Sequence, residues 1–177
     1  MNNDIVAITN LCNLYAAATD AQEWRLFDRV FTADVHVDFG GPACFDGLAV
    51  LKQVFEAIHA PFAITMHQTT NHQVMVNGDA ATCLSYVHGR FVREVGIAEA
   101  GGGNMFESTG WYDDALVRGP DGWRIARRVC RTTWWGGNPK VLQTTPDTHV
   151  EHVLNSLRDE FRAGNVGHIA ALVAAAR

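Results

Sequence analysis

The sequence predicts an α+β domain: a curved, cone-shaped antiparallel sheet packed against N-terminal helices and enclosing a pocket, with a C-terminal helical tail. Three observations carry this reading. Apolar residues recur at three-and-four spacing through the first part of the chain, as one face of a helix requires. Four long alternating stretches follow, most of them separated by tight-turn sequences. Within the first of these, Thr65 to Val76, His67, Thr69 and Asn71 share one strand face. An ordinary core face carries Val and Ile. This one carries an imidazole, a hydroxyl and an amide, as the wall of a polar-lined pocket would.

The elements follow in order. Residues 4–18 form a helix whose buried stripe is Ile5, Ile8, Leu11, Cys12 and Tyr15. Asp20 then stands at a junction, where it is able to cap a second helix over 21–31 with Trp24, Phe27, Val30 and Phe31 inward. Residues 35–39 alternate as a short strand, and Gly40-Gly41-Pro42 turns the chain. A third helix spans 48–60, carries Leu51, Val54, Phe55 and Ile58 on its core side, and stops at Pro61. The central strand, 65–76, ends in Asn77-Gly78-Asp79, a hairpin signal.

Residues 81–93 form the next strand, and 94–104, with Gly101-Gly102-Gly103, a mobile loop. Strands 106–117 and 123–133 flank the turn Arg118-Gly119-Pro120-Asp121-Gly122, and Trp134-Trp135 leaves the sheet. A helix is expected to begin at Thr145-Pro146-Asp147 and to place Val150, Val153, Leu154, Leu157 and Phe161 on one stripe. Gly164 breaks it, and 167–177 forms a short Ala-rich helix. Hairpin-joined strands give an antiparallel sheet, and helices gathered ahead of it give two layers. The domain is placed at 1–140 and the helical extension at 141–177.

Composition narrows the function. The chain has 177 residues, 47% of them hydrophobic, enough for one domain with a sizeable core. A net charge of -5 and no basic tract argue against a nucleic-acid partner. No apolar run approaches the roughly 20 residues of a membrane span. Met1-Asn2-Asn3-Asp4 begins no signal peptide, so a cytoplasmic protein is expected. Cys12, Cys44, Cys83 and Cys130 are scattered and read as core-filling thiols, and no metal site is expected. His36, His59, His72 and His168 show no ligand spacing. His149 and His152 are helical neighbours without a third partner.

Several fragments together resemble the SnoaL-like branch of the nuclear-transport-factor-two-like superfamily, over about residues 5–135. They are Tyr15 followed by Asp20, Trp24 with Phe31, Phe45-Asp46-Gly47, His67 with Asn71, Asn77-Gly78-Asp79, Tyr112-Asp113-Asp114 and Asp121-Gly122-Trp123-Arg124. The resemblance implies a cone-shaped barrel with a deep pocket. Its catalytic side is similar to the cofactor-free lyases scytalone dehydratase, bile acid 7α-dehydratase and hexachlorocyclohexane dehydrochlorinase. These place an Asp at the end of the first helix and a His on the long strand after it, positions held here by Asp20 and His67. The bile acid enzyme has a Tyr five residues before its Asp, as Tyr15 stands to Asp20. Scytalone dehydratase differs in a Tyr where this chain has Thr19, in a second His near Phe91 and in a second Tyr at Phe39.

The implied chemistry is elimination. His67 takes a proton, Asp20 fixes its tautomer and supports the imidazolium, and Tyr15 donates its phenolic proton. Asn71, His88, Tyr112, Arg131, Asp38 and Trp134 are the candidate substrate-binding residues, with Arg131 or its neighbours meeting an anionic group. Some also have a plainer reading: His67 as a hydrogen-bonded structural residue, Asp20 as an N-cap, Tyr15 as core, His88 and Asp38 as surface residues, Trp134 as packing under the tail. The expected activity is that of a cofactor-independent lyase on a small hydrophobic, aromatic or cyclic molecule. The alternatives are an isomerase using the same proton abstraction, a non-catalytic small-molecule-binding domain, and a structural protein like a dioxygenase small subunit. A homo-oligomer, dimer or trimer, is expected, with the tail closing the pocket or mediating assembly.

Overall fold

The computed structural model describes residues 2–94, 103–143 and 153–176. The expected glycine-rich loop centre, the helix start at Thr145, Val150, His149 and His152 lie outside the described residues. Helix α1 runs Asn2–Asp20, a single 3₁₀ turn covers Trp24–Leu26, and α2 is only Phe27–Val30. Strands β1 (Phe31–Asp38) and β2 (Cys44–Asp46) precede α3 (Leu48–His59). Four long strands follow: β3 (Ile64–Asn77), β4 (Ala80–Val92), β5 (Met105–Gly119) and β6 (Gly122–Gly137). Helices α4 (Leu157–Arg162) and α5 (Gly167–Ala175) form the tail. No helix among the described residues is long and apolar enough to cross a membrane.

The six strands form one curved sheet in the order β2-β1-β6-β5-β4-β3. All neighbours are antiparallel except β1 and β6, which run parallel. The expected helix over 21–31 is mostly absent. Phe31 opens β1 instead, because its backbone is already extended (φ -113, ψ 157) and it pairs with Ile125. Trp134 and Trp135 stay in the sheet, opposite Thr109 and Ser108.

Helices α1 and α3 cover the concave side. Ile8, Leu11, Cys12 and Tyr15 of α1 meet Leu51 and Phe55 of α3 over Val35, Val37, Cys83, Tyr112, Leu116 and Ile125 of the sheet. Helix α1 ends where the N–H of Glu23 reaches back to the Ala18 carbonyl and that of Gln22 to Thr19, with Gln22 left-handed at φ 51. This is a Schellman closure without glycine.

The described tail lies on the opposite, convex side. Leu157, Phe161, Val166 and Ile169 pack on Leu84, Trp111 and Val129. It therefore covers the outside of the sheet and does not close over the concave side. Buried Asp113 of β5 fixes it, accepting from the N–H groups of Gly167 (2.7 Å) and His168 (3.0 Å) at the start of α5. A carboxylate there satisfies orphan donors and opposes the helix dipole. Asp113→Ala is expected to cost about 1–2 kcal/mol and to hasten cleavage within 153–176. Chemical denaturation and limited proteolysis measure the two effects.

Candidate functional site

The end of α1 meets the middle of β3. Asp20 is in the last turn of α1, just before the Schellman closure, so its side chain projects toward the edge strand. One oxygen, Oδ1, lies 2.7 Å from His67 Nδ1, and the other accepts the backbone N–H of His67 at 2.7 Å. The carboxylate thus engages both the ring and the main chain of one residue. It caps no helix; the 3₁₀ turn is capped by Glu23. The His67 side chain is 7% exposed and that of Asp20 25%. Burial pushes the Asp20 carboxyl up, but the two hydrogen bonds and the charge of His67 outweigh it and leave it below the ordinary carboxylate value.

A carboxylate only accepts, so Nδ1 carries a proton, and in the neutral ring Nε2 is the basic nitrogen. Opposite His67 on β4 stands Gly89. A Cβ there would lie 3.5 Å from Nε2 and 3.2 Å from the Phe91 ring, so the glycine keeps space beside the basic nitrogen. Phe91 closes the other side, edge-on to His67 with ring centroids 5.3 Å apart.

Tyr15, buried on α1, lies 6.5 Å from His67 between ring centroids and 5.8 Å from Tyr112, perpendicular to it. Burial raises both phenols above their usual values, Tyr112 more strongly, so each is a proton donor at neutral pH. Both meet one guanidinium. Arg128 lies 4.2 Å from the centre of Tyr15 and 4.1 Å from that of Tyr112. It is fully buried and held by both oxygens of buried Asp114, at 2.8 and 2.7 Å. Its remaining Nη1 has no partner among the described residues.

Arg128, not Arg131, is therefore the arginine that enters the concave side. A bulge between Ala115 and Leu116 shifts the β5–β6 register and turns Arg128 inward, opposite Asp114. Arg131 faces outward and is bound by Asp38 (2.7 Å), whose carboxyl it holds down at about 2. These two candidates neutralise each other away from His67.

Asn71 also leaves the expected face. It adopts φ 54 in a bulge between Thr70 and Gln73, so alternation restarts one residue later and His72, Val74 and Val76 take the inner side. His88 lies on the convex face, 3.0 Å from Glu107, which also binds Arg90. Trp134 is 49% exposed on that face. The structure thus brings together Asp20, His67, Tyr15 and Tyr112, and separates Asn71, His88, Arg131, Asp38 and Trp134 from them. Two clefts of about 450 and 560 Å³ open on the convex face and on the β3 edge beneath the tail, and neither contains Asp20 or His67.

Residues 2–129 match the SnoaL-like domain. The chain belongs to this family. A SnoaL-like chain of this kind has an uncharacterized relative in Mycobacterium tuberculosis, 34% identical over 129 residues, 72% of this chain and 84% of the relative. Among solved structures, two from Novosphingobium aromaticivorans superpose at TM-score 0.70. One, named as a proposed aromatic ring hydroxylase, is 25% identical and covers 80% of this chain and 98% of its own. The other, named as a proposed scytalone dehydratase, is 20% identical and covers 89% and 99%. The second likeness shows the fold.

His59 is a further member that spacing alone did not reveal. It closes α3, is 5% exposed, and stacks on Phe55 with centroids 5.2 Å apart. Its pKa falls from 6.5 to about 4, chiefly through burial. The unfolded chain therefore takes up this proton first as pH drops below 6.5. The contribution to stability is full above that value and is lost as pH falls toward 4. His59→Phe is expected to remove up to about 3 kcal/mol of this acid-side loss, read as the difference between denaturation curves of the two proteins over that range. Arg128→Met, which leaves Asp114 buried and unpaired, is expected to cost about 3–5 kcal/mol. Adding Asp114→Leu should restore most of it in the same assay.

Proposed function

We propose that the chain is a cofactor-independent lyase that acts on a small cyclic or aromatic molecule. His67 is the base and Asp20 its orienting partner. The observation that carries this reading is the two-point grip of Asp20 on His67, which fixes one tautomer and leaves Nε2 next to the space kept by Gly89. The dehydratase name of one structural neighbour agrees with the reading.

In the step proposed, His67 Nε2 removes a proton from carbon next to an electron-withdrawing group. The C–H electron pair moves into the new double bond, and the C–O bond to the leaving hydroxyl breaks. That hydroxyl takes the same proton back from His67 Nε2 and departs as water, which returns the imidazole to its neutral form. The imidazolium is balanced by Asp20. Negative charge developing on the activating oxygen is met by the Tyr15 hydroxyl, with buried Arg128 stacked on its ring. Return of the proton to a different carbon, without loss of the hydroxyl, is the isomerase variant of the same cycle.

The concave side is filled by the protein's own aromatic rings, so a ring-sized substrate enters by displacing some of them. Half-buried Trp24, Phe39 and Phe91 are the side chains with room to move. Proton abstraction is measurable without knowing the product. Cyclic β-hydroxy ketones incubated with the enzyme in heavy water should exchange deuterium at the α-carbon and form the conjugated enone. His67→Ala is expected to lower both rates about 10²–10⁴-fold, and Asp20→Asn to lower them without unfolding the protein. Full activity in both folded variants would refute the assignment.

A further inference from the structure

His59 stands beside the Asp20–His67 pair and has a use there that packing alone does not explain. Its Nδ1 lies 2.8 Å from the Phe55 carbonyl of its own helix. A carbonyl only accepts, so Nδ1 carries the proton and Nε2 is left as a lone-pair acceptor directed away from the α3 backbone. Among the described residues Nε2 makes no hydrogen bond, and it is not sealed from solvent.

The ring is held from several sides: Phe55 stacks on it, Trp24 lies 5.2 Å away, Phe62 5.9 Å and Phe91 6.3 Å. Phe91 is also the ring set edge-on to His67. Asp20 and His67 are near enough for their charges to act on His59. The backbone is fixed to the same place, because Gln22, two residues past Asp20, donates through Nε2 to the carbonyls of His59 (3.2 Å) and Phe62 (3.4 Å). The ends of α1 and α3 thus present a free imidazole base and a free imidazole acceptor around one aromatic ring.

A buried apolar cage would suit a phenylalanine at position 59. An oriented acceptor nitrogen adds the capacity to receive one O–H, and ring neutrality at working pH spares the imidazolium that forms at His67 a like-charged neighbour. We propose that His59 Nε2 accepts a hydrogen bond from a hydroxyl of the molecule bound at His67, which makes hydroxylated aromatic or cyclic compounds its ligand class. The inference rests on the concave side being the binding site, as the proposed function has it, but it concerns recognition and not turnover.

The test is calorimetric titration with 4-methylphenol and 2-naphthol, both un-ionised near neutral pH, against their methyl ethers. The wild-type protein should prefer each phenol about tenfold, the worth of one hydrogen bond. His59→Phe, which keeps the ring packing, should reduce the preference to less than about twofold, and His59→Gln, which keeps an acceptor, should restore part of it. His67→Ala should retain the preference while losing proton abstraction, so a failure of catalysis and a failure of this recognition are told apart. Equal affinity for phenol and ether, no binding of either, or a preference unchanged in His59→Phe each overturns the proposal. The last result would place the phenol in a cleft on the convex face.

Discussion

One carboxylate ties the helical layer to the sheet at the point where chemistry is proposed. Asp20 reaches across from the end of α1 and takes both the ring N–H and the main-chain N–H of His67. Two charge-assisted hydrogen bonds to one residue define position and orientation together. The Schellman closure behind Asp20 prevents the helix from running on past the strand, and Gln22 in that closure fastens α3 to the same corner. The Asp20–His67 contact and the helix termination are thus parts of one local structure.

The second constraint is the buried charge behind Tyr15. Arg128 and Asp114 lie wholly inside, and such a pair is held only when its geometry is good. Here both carboxylate oxygens are used and two phenol rings flank the guanidinium. Stability alone does not favour burying such a pair over apolar side chains of similar size. Its effect on Tyr15 gives it a place in the proposed chemistry.

Much of this was legible in the sequence because it depends on periodicity. The α1 stripe, the α3 stripe, the four long strands and the Asn77-Gly78-Asp79 and Gly119 to Gly122 turns follow directly from spacing. So did the Asp20–His67 pair, through the resemblance. Single-residue irregularities were not legible. Asn71 in the left-handed region moves itself off the His67 face, and an extra residue near Ala126 replaces Arg131 by Arg128 on the inside. A hairpin counted strictly from its turn would pair Asp114 with Arg127, one residue short of the observed partner. Local propensity also misled at Phe31, whose helical neighbours lose to pairing with β6. His59 was set aside for lack of ligand spacing, yet its position depends on contacts among elements far apart in sequence.

Asp20, by accepting from Nδ1, sets which nitrogen of the neutral His67 ring is basic. Long-range ¹H–¹⁵N correlation of the histidine rings near neutral pH measures this directly in the intact protein. The expected His67 signature has the proton on Nδ1 and a bare Nε2, giving way to mixed tautomers in Asp20→Asn. A proton on Nε2 in the wild-type protein, or identical ring signals in the two proteins, would contradict it.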